Sequence, residues 1–298
     1  MSPACANSLR AMLAAAALTI AGSVWMHAQE PARHDMRGMV LKVDPSRRSL
    51  LVSHDSVPGA MAAMTMRFEV ADPRELDAVE AGETITFSAV LAGPTVRAER
   101  IRVVPYRSAE QDPLTARRLA LLKAMTDRTP ARQVVIGAAV PDFTLTDQRR
   151  TRLSLSQLRG KVVALNFVYT SCALPQFCYR TTNHFGALQR RLQNRLGRDV
   201  ILLTITFDPV RDTPERLAAY AAEWHADAQT WHFLTGDATA VQRVCDMFGV
   251  DFFPDEGLLS HSIHTAIIDR QGRLVANIEG NEFTSTQLGD LVEAAIGR

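Results

Sequence analysis

The chain has 298 residues, 47% of them hydrophobic, and its 33 Lys and Arg against 32 Asp and Glu leave a formal net charge of +1. That length and apolar content allow two cores, since folded domains usually run to about 100–200 residues. The charge balance excludes a whole-chain attraction for nucleic acid or for an anionic membrane surface, so partners must be recognised through local chemistry.

Residues 1–28 read as a secretory signal peptide, in which Arg10 precedes an apolar run from Ala11 to Val24 and the chain turns polar after Ala28. Ala28 suits the last signal position, whereas Met26 is bulkier than the small residue usual two places earlier. The run is shorter than the roughly 20 residues that span a bilayer. Trp25 and Met26 extend it, so an uncleaved signal would leave the chain anchored to the membrane at its N-terminus. The expected location is the periplasm or another exported compartment. Cys5 lies before the apolar run, the wrong side for a lipid-modified cysteine, and is assigned no function.

From Met36 to Val104 short alternating segments are broken by turn residues: "GMVLKV", "SLLVSH", "MTMRFEV", "ETITFSAVL" and "VRAERIRVV". Five or six strands in about 70 residues predict a small OB-type β-barrel over residues 36–105. In the strand "MTMRFEV", Met64, Met66 and Phe68 project from one face and Thr65 and Arg67 from the other. That face reads either as barrel core or as a metal site. Methionine is not a preferred strand residue, Met61, Met64 and Met66 crowd together, and His54 ends the preceding strand. Thioethers with one imidazole suit Cu(I) or Ag(I).

Residues 106–134 read as a linker with one helix, from Leu114 to Met125. Over residues 135–298 the rhythm changes to strands alternating with helices: "KVVALNFVY", a helix from about Cys178, "DVILLTITF", a helix from Pro214, "WHFLT", a helix around Cys245, the hairpin "HTAIIDRQGRLVANIEG" and a closing helix. This order predicts a thioredoxin-like α/β domain with a central mixed sheet. The expected fold class is therefore β followed by α/β.

Export places Cys172, Cys178 and Cys245 where disulfides form readily. Val241, Val244, Cys245 and Phe248 fall at i, i+3, i+4 and i+7, so Cys245 reads as helix core. Cys172 and Cys178 lie where a strand ends and a helix begins, a position at which ligands collect in α/β sheets and at which a helix N-terminus favours the thiolate. Three readings follow: a structural disulfide, a redox pair, or metal ligands. A disulfide closing so short a loop staples little. His261, just before "TAIID", is expected on a loop facing the pair, and two thiolates with one imidazole form a soft site suited to copper. Residues i and i+6 do not share a helix face, so Cys172 must sit on a loop before the helix, with Pro175 at the break. Asp208 in "FDPVRDTPE" is open to two readings, an outer carboxylate of the site or turn chemistry, while Thr213 or Asp212 caps the helix that Pro214 begins.

The segments "ITFDPVRDTPERLAAYA", "WHFLTG" and "HSIHTAIIDRQGRL" resemble the Sco/SenC family of copper-binding thioredoxin-like proteins, over residues from about Val135 to the C-terminus. The resemblance implies Cys172, Cys178 and His261 as ligands of copper, Cu(I) or Cu(II). His264 is not carried over, because the family usually has an apolar residue there. Most of that family has three residues between the cysteines, and this chain has five. The "MTMRF" strand is similar to that of the small periplasmic copper/silver-binding barrel of cation-efflux systems, which implies His54, Met64 and Met66 as ligands. Met61 stands where that family has a capping tryptophan and is placed to supply a fourth soft ligand. Together these resemblances imply an exported metallochaperone that serves the copper-centre subunit of a respiratory oxidase or another periplasmic copper protein, with a thiol-disulfide reductant as second partner. Rival readings are a thiol-disulfide oxidoreductase and a thiol peroxidase, each using Cys172 and Cys178 as catalytic residues.

Overall fold

The computed structural model describes residues 32–92, 95–106, 133–172, 175–255 and 258–297. The expected signal peptide and linker helix lie outside them. Among the described residues no helix is long and apolar enough to cross a membrane.

Five strands close a barrel: β1 (Arg33–Asp44), β2 (Ser49–His54), β3 (Met64–Val70), β4 (Thr84–Ala92) and β5 (Thr95–Val103), in the order β1-β2-β3-β5-β4. All neighbours are antiparallel except β3 and β5, which run parallel. Inward residues alternate with outward ones, so Met36, Val40, Leu50, Val52, Phe68, Ile85 and Phe87 fill a core of their own. Gly38 is required by close approach. A Cβ there would lie 2.6 Å from the Ser53 carbonyl oxygen and 2.7 Å from His54 Cα on the paired strand.

The second part is a seven-stranded sheet in the order β14-β13-β8-β9-β10-β6-β7. Its strands are β6 (Thr144–Asp147), β7 (Arg152–Ser154), β8 (Val162–Val168), β9 (Val200–Thr206), β10 (Trp231–Thr235), β13 (His264–Ile268) and β14 (Leu274–Glu279). The central strands β8, β9 and β10 are parallel and every residue in them is buried. Their near-continuous apolar sequences follow from helices covering both faces. On one face pack α1 (Arg180–Arg191), α2 (Pro214–Glu223) and α4 (Ser285–Ile296), through Phe185, Leu188, Leu217, Leu288 and Leu291. On the other packs α3 (Ala238–Phe248), where Cys245 is fully buried among Val241, Val244 and Phe248. Strands β11 (Phe252–Asp255) and β12 (Leu258–His261) form a separate ribbon.

The two parts share a core. Met39 and Leu41 of β1 belong to the same buried cluster as Val275, Ala276 and Ile278 of β14. Gly82, with φ of +98°, brings the turn before β4 onto that strand, and a Cβ there would meet Ile278 and Ala276 at about van der Waals overlap, 2.9 and 3.1 Å.

Burial pushes the pKa values of His184 and His264 down to about 4. The unfolded chain, with histidines near 6.5, therefore binds protons that the folded chain refuses. Stability is expected to be complete above about pH 6.5 and to fall as pH drops towards 4, by at most about 1.4 kcal/mol per pH unit per histidine. Urea unfolding across that range checks this, and a His184→Phe/His264→Phe variant should show a flatter profile.

Candidate metal centre

Strand β8 ends at Val168 and the chain runs through Tyr169 and Thr170 to Cys172, half-buried on the expected loop. Pro175–Tyr179 then forms a widened π turn that leads into α1 and carries Cys178, which is only 3% exposed. The hydroxyls of Thr181 and Thr182 donate to the Phe177 and Cys178 carbonyls, at 3.1 and 2.8 Å, and so satisfy acceptors of that turn. The wide turn accommodates the six-residue spacing of the cysteines.

His261 is the last residue of β12, opposite Phe252 of β11, rather than part of a loop. The ribbon escapes a sequence reading because its strands are short and interrupted by Pro254, tolerated where a strand has only one partner. The His261 ring packs against Phe207 at 4.6 Å, Tyr169 at 5.7 Å and Phe177 at 6.4 Å between centroids. Its Nδ1 lies 2.9 Å from the Ser262 carbonyl oxygen and must donate to it, which leaves Nε2 with a lone pair. That Nε2 is 3.9 Å from Cys178 Sγ, and the donor atoms of Cys172, Cys178 and His261 all lie within 4.8 Å of one another.

The Cys178 thiol is not activated as a helix N-terminus alone would suggest. The hydrogen bond with Cys172 and then burial push its pKa well above the usual thiol range. Tyr169 is pushed up to about 12, by burial first and then by Cys172. A negative charge between these groups is costly, and a soft cation at the same point removes that cost. Two adjacent thiols and one free imidazole lone pair therefore fit a soft metal. A pocket of about 370 Å³ opens on both cysteines, walled by Tyr169, Tyr179 and Tyr220 with Arg216 beside them.

Asp208 serves the turn. Its carboxylate faces Arg211 at 3.1 Å and its carbonyl accepts from the Arg211 and Asp212 amides. The shaping residue is Asp212, which is wholly buried and accepts from the Thr170 amide (3.0 Å), the Thr170 hydroxyl (2.5 Å) and the Thr206 hydroxyl (2.6 Å). Arg216 extends the clamp by donating to the hydroxyls of Thr170 and Ser171. Thr213, not Asp212, caps α2, accepting from the Arg216 amide at 3.4 Å. A buried aspartate between hydroxyl residues is invisible in the sequence because Thr170, which gives it two of its three hydrogen bonds, lies 42 positions away. His264 is buried and is not part of the Cys172–Cys178–His261 cluster, with Asn277 as its neighbour.

In the barrel, β2 and β3 pair His54 with Met64 and Val52 with Met66. Directly opposite residues share a face, so His54, Met64, Met66 and Phe68 line one surface that runs from the core to the mouth. Along it Phe68 is fully buried, Met66 half-buried and Met64 51% exposed. The core reading of this face holds at the Phe68 end, while the Met64 end is open to solvent. His54 Nδ1 donates to the Asp55 carbonyl at 2.7 Å, and its buried Nε2 has no hydrogen-bond partner. An orphaned lone pair on the strand face that also carries two thioethers fits a soft cation. Met61 closes a compact turn from Val57 and packs, half-buried, against the same barrel core as Met66.

Residues 135–296 match the SCO1/SenC family and residues 33–103 match the family of the copper-binding periplasmic protein CusF. The first match alone covers more than half of the chain, which belongs to the SCO1/SenC family. A SCO2-like protein of Rickettsia typhi is 32% identical over 151 residues, 48% of this chain and 69% of that protein. A SCO1 protein homolog of Bacillus subtilis is 33% identical over 97 residues, 33% of this chain and 49% of that protein. The crystal structure of Arabidopsis thaliana ScoI with copper bound aligns with a TM-score of 0.47 and 25% identity, covering 54% of this chain and all of that one. Copper is the metal these matches support.

Asp212→Ala strands three donors and should destabilise the protein by at least about 2 kcal/mol, with faster alkylation of Cys172 as its loop loosens. Asp208→Asn should cost less than about 1 kcal/mol and leave alkylation unchanged. Urea melts and thiol-labelling rates measured on both variants check this pair of outcomes.

Proposed function

We propose that this chain is an exported copper metallochaperone with two domains, a capture barrel at 36–105 and a Sco-type holding domain at 135–298. The observation that carries the reading is the convergence of Cys172 Sγ, Cys178 Sγ and His261 Nε2 within 4.8 Å in a chain whose barrel also presents an orphaned His54 Nε2 beside Met64 and Met66. Copper is cargo here. The cysteines and His261 hold it as Cu(I) or Cu(II), and the barrel holds Cu(I), or Ag(I) in its place. Each sulfur gives up its proton on loading, so binding demands the reduced pair. The aromatic rings of Tyr169, Phe177 and Phe207 shield His261 from water, while the pocket beside Tyr179 and Tyr220 gives an exchanging ligand access to the sulfurs. The receiver on this reading is the copper-centre subunit of a respiratory oxidase or another periplasmic copper protein, which SCO1/SenC membership supports. The reading places the protein in the periplasm, and a retained signal would hold it at the membrane.

A second reading is favoured by one observation, the open pocket on two closely spaced thiols. There Cys172 and Cys178 cycle with a thiol-disulfide reductant and no metal moves. Metal analysis separates the two. The reduced full chain should hold two coppers, and the chain with a Cys172–Cys178 disulfide should hold one. His261→Ala should weaken the cysteine site by more than the ~10–100-fold typical of a lost outer partner, yet leave disulfide formation intact. His264→Ala should change copper retention little. Equal copper content in the oxidised and reduced chains would sink the metallochaperone reading.

The barrel site has its own test. Met64→Leu/Met66→Leu keeps volume and apolarity, so it should cost less than about 1.5 kcal/mol per site while abolishing Ag(I) binding in the oxidised full chain. Competition against a Cu(I) chelator reads the loss, and retained affinity would return both methionines to simple core packing.

A further inference from the structure

The strands that carry the barrel site are the strands that α4 grips. Ser53 and Thr65 each lie next to a proposed ligand, His54 and Met64, and project from the opposite face. Both hydroxyls donate to Asp290 Oδ2, at 2.6 and 2.9 Å. The other oxygen of Asp290 accepts from Arg191 at 2.5 Å, in the last turn of α1. Gln287 adds contacts with the Ser53 carbonyl and with Asp55 Oδ1, at 3.4 and 3.2 Å. One carboxylate thus ties β2 and β3 to the helix that begins two residues after Cys178. A cleft of about 300 Å³ is lined both by Asp55, which follows His54, and by Arg180, the first residue of α1.

From this we infer that Asp290 latches the barrel in place as an internal donor, so that Cu(I) captured by His54, Met64 and Met66 passes to Cys172 and Cys178 of the same chain. The inference rests on the metallochaperone reading above. The transfer is a ligand exchange with no change in oxidation state. Bonds from copper to neutral imidazole and thioethers break, bonds to two thiolates and His261 form, and two thiol protons leave to solvent. The direction follows from ligand chemistry, because anionic thiolates hold Cu(I) more strongly than neutral thioethers. Donor and acceptor in one chain also make the exchange independent of an encounter with a second chain.

The experiment mixes a limiting Cu(I)–chelator complex with reduced full chain and follows the ultraviolet Cu(I)–thiolate absorption. A His54→Ala/Met64→Leu/Met66→Leu chain should load its cysteines at least about tenfold more slowly than wild type, with unchanged final affinity. An equimolar Cys172→Ser/Cys178→Ser chain, which keeps its barrel, should not restore the rate in trans. Asp290→Ala should slow loading while two coppers still bind. Ser53→Ala/Thr65→Val, which leaves the Arg191 pair intact, should do the same if Asp290→Ala misfolds. Loading of the barrel-site variant at the wild-type rate, or full restoration in trans, would overturn the relay and leave the metallochaperone reading standing. Failure of the wild type to bind copper at either site would overturn both.

Discussion

The loop that presents Cys172 is built on one buried carboxylate. Asp212 has no contact with water, and its charge is tolerable because the amide and hydroxyl of Thr170 and the hydroxyl of Thr206 all point at it and the Arg216 guanidinium lies 3.7 Å away. Those bonds join the end of β8 to the end of β9 and to the first residues before α2. The position of Cys172 relative to Cys178 follows from that clamp. Without it the loop before the widened turn at Pro175–Tyr179 loses its anchor to the ends of β8 and β9. The cost of burying Asp212 is thus spread over elements that would otherwise meet only through apolar packing.

Two histidines in unrelated folds are prepared in the same way. His54 and His261 each give the Nδ1 proton to the carbonyl of the following residue, at 2.7 and 2.9 Å. Each sits at the last position of a strand, where the chain turns and that carbonyl becomes reachable. The tautomer is thereby fixed before any ligand arrives, and Nε2 is left as the only available lone pair. What differs is the partner set. At His261 two thiols stand within reach, and at His54 a thioether stands directly opposite. On the proposed reading the barrel donors would stay neutral on binding, whereas the sulfurs of the cysteine site would have to lose protons.

Much of this was legible in the sequence, for physical reasons that differ by element. The strands "KVVALNFVY" and "DVILLTITF" announce themselves because parallel strands buried on both faces must be apolar throughout. The barrel was readable because alternation and turn residues recur at short intervals. The helix around Cys245 followed from its 3.6-residue stripe. The ribbon β11–β12 was not legible, since its strands pair only with each other and contain Pro254. Nor was the raised pKa of Cys178, because helix-terminus reasoning omits the neighbouring thiol and the depth of burial. Asp208 and Asp212 look interchangeable in "FDPVRDTPE", and only the reach of Asp212 to Thr170, 42 positions away, separates the buried clamp from a turn former whose partner Arg211 is three positions on.

The contact between barrel and sandwich is the part furthest from any sequence signal. Ser53 and Asp290 are 237 positions apart, and both are ordinary polar residues of the kind that usually face water. What turns them into an interface is that β1 also buries Met39 and Leu41 in the core beneath β14. Apolar burial supplies the attraction but little direction, whereas the Asp290 hydrogen bonds fix which strands lie over α4. The result sets an exposed thioether, Met64, beside a rigidly held histidine, while Cys178 is nearly sealed from solvent. An accessible site of neutral donors favours rapid exchange, and a buried site of anionic donors favours retention. On the proposed reading, holding both in one compact unit would let a single chain do what one site cannot, because fast capture and tight holding place opposite demands on exposure and ligand charge.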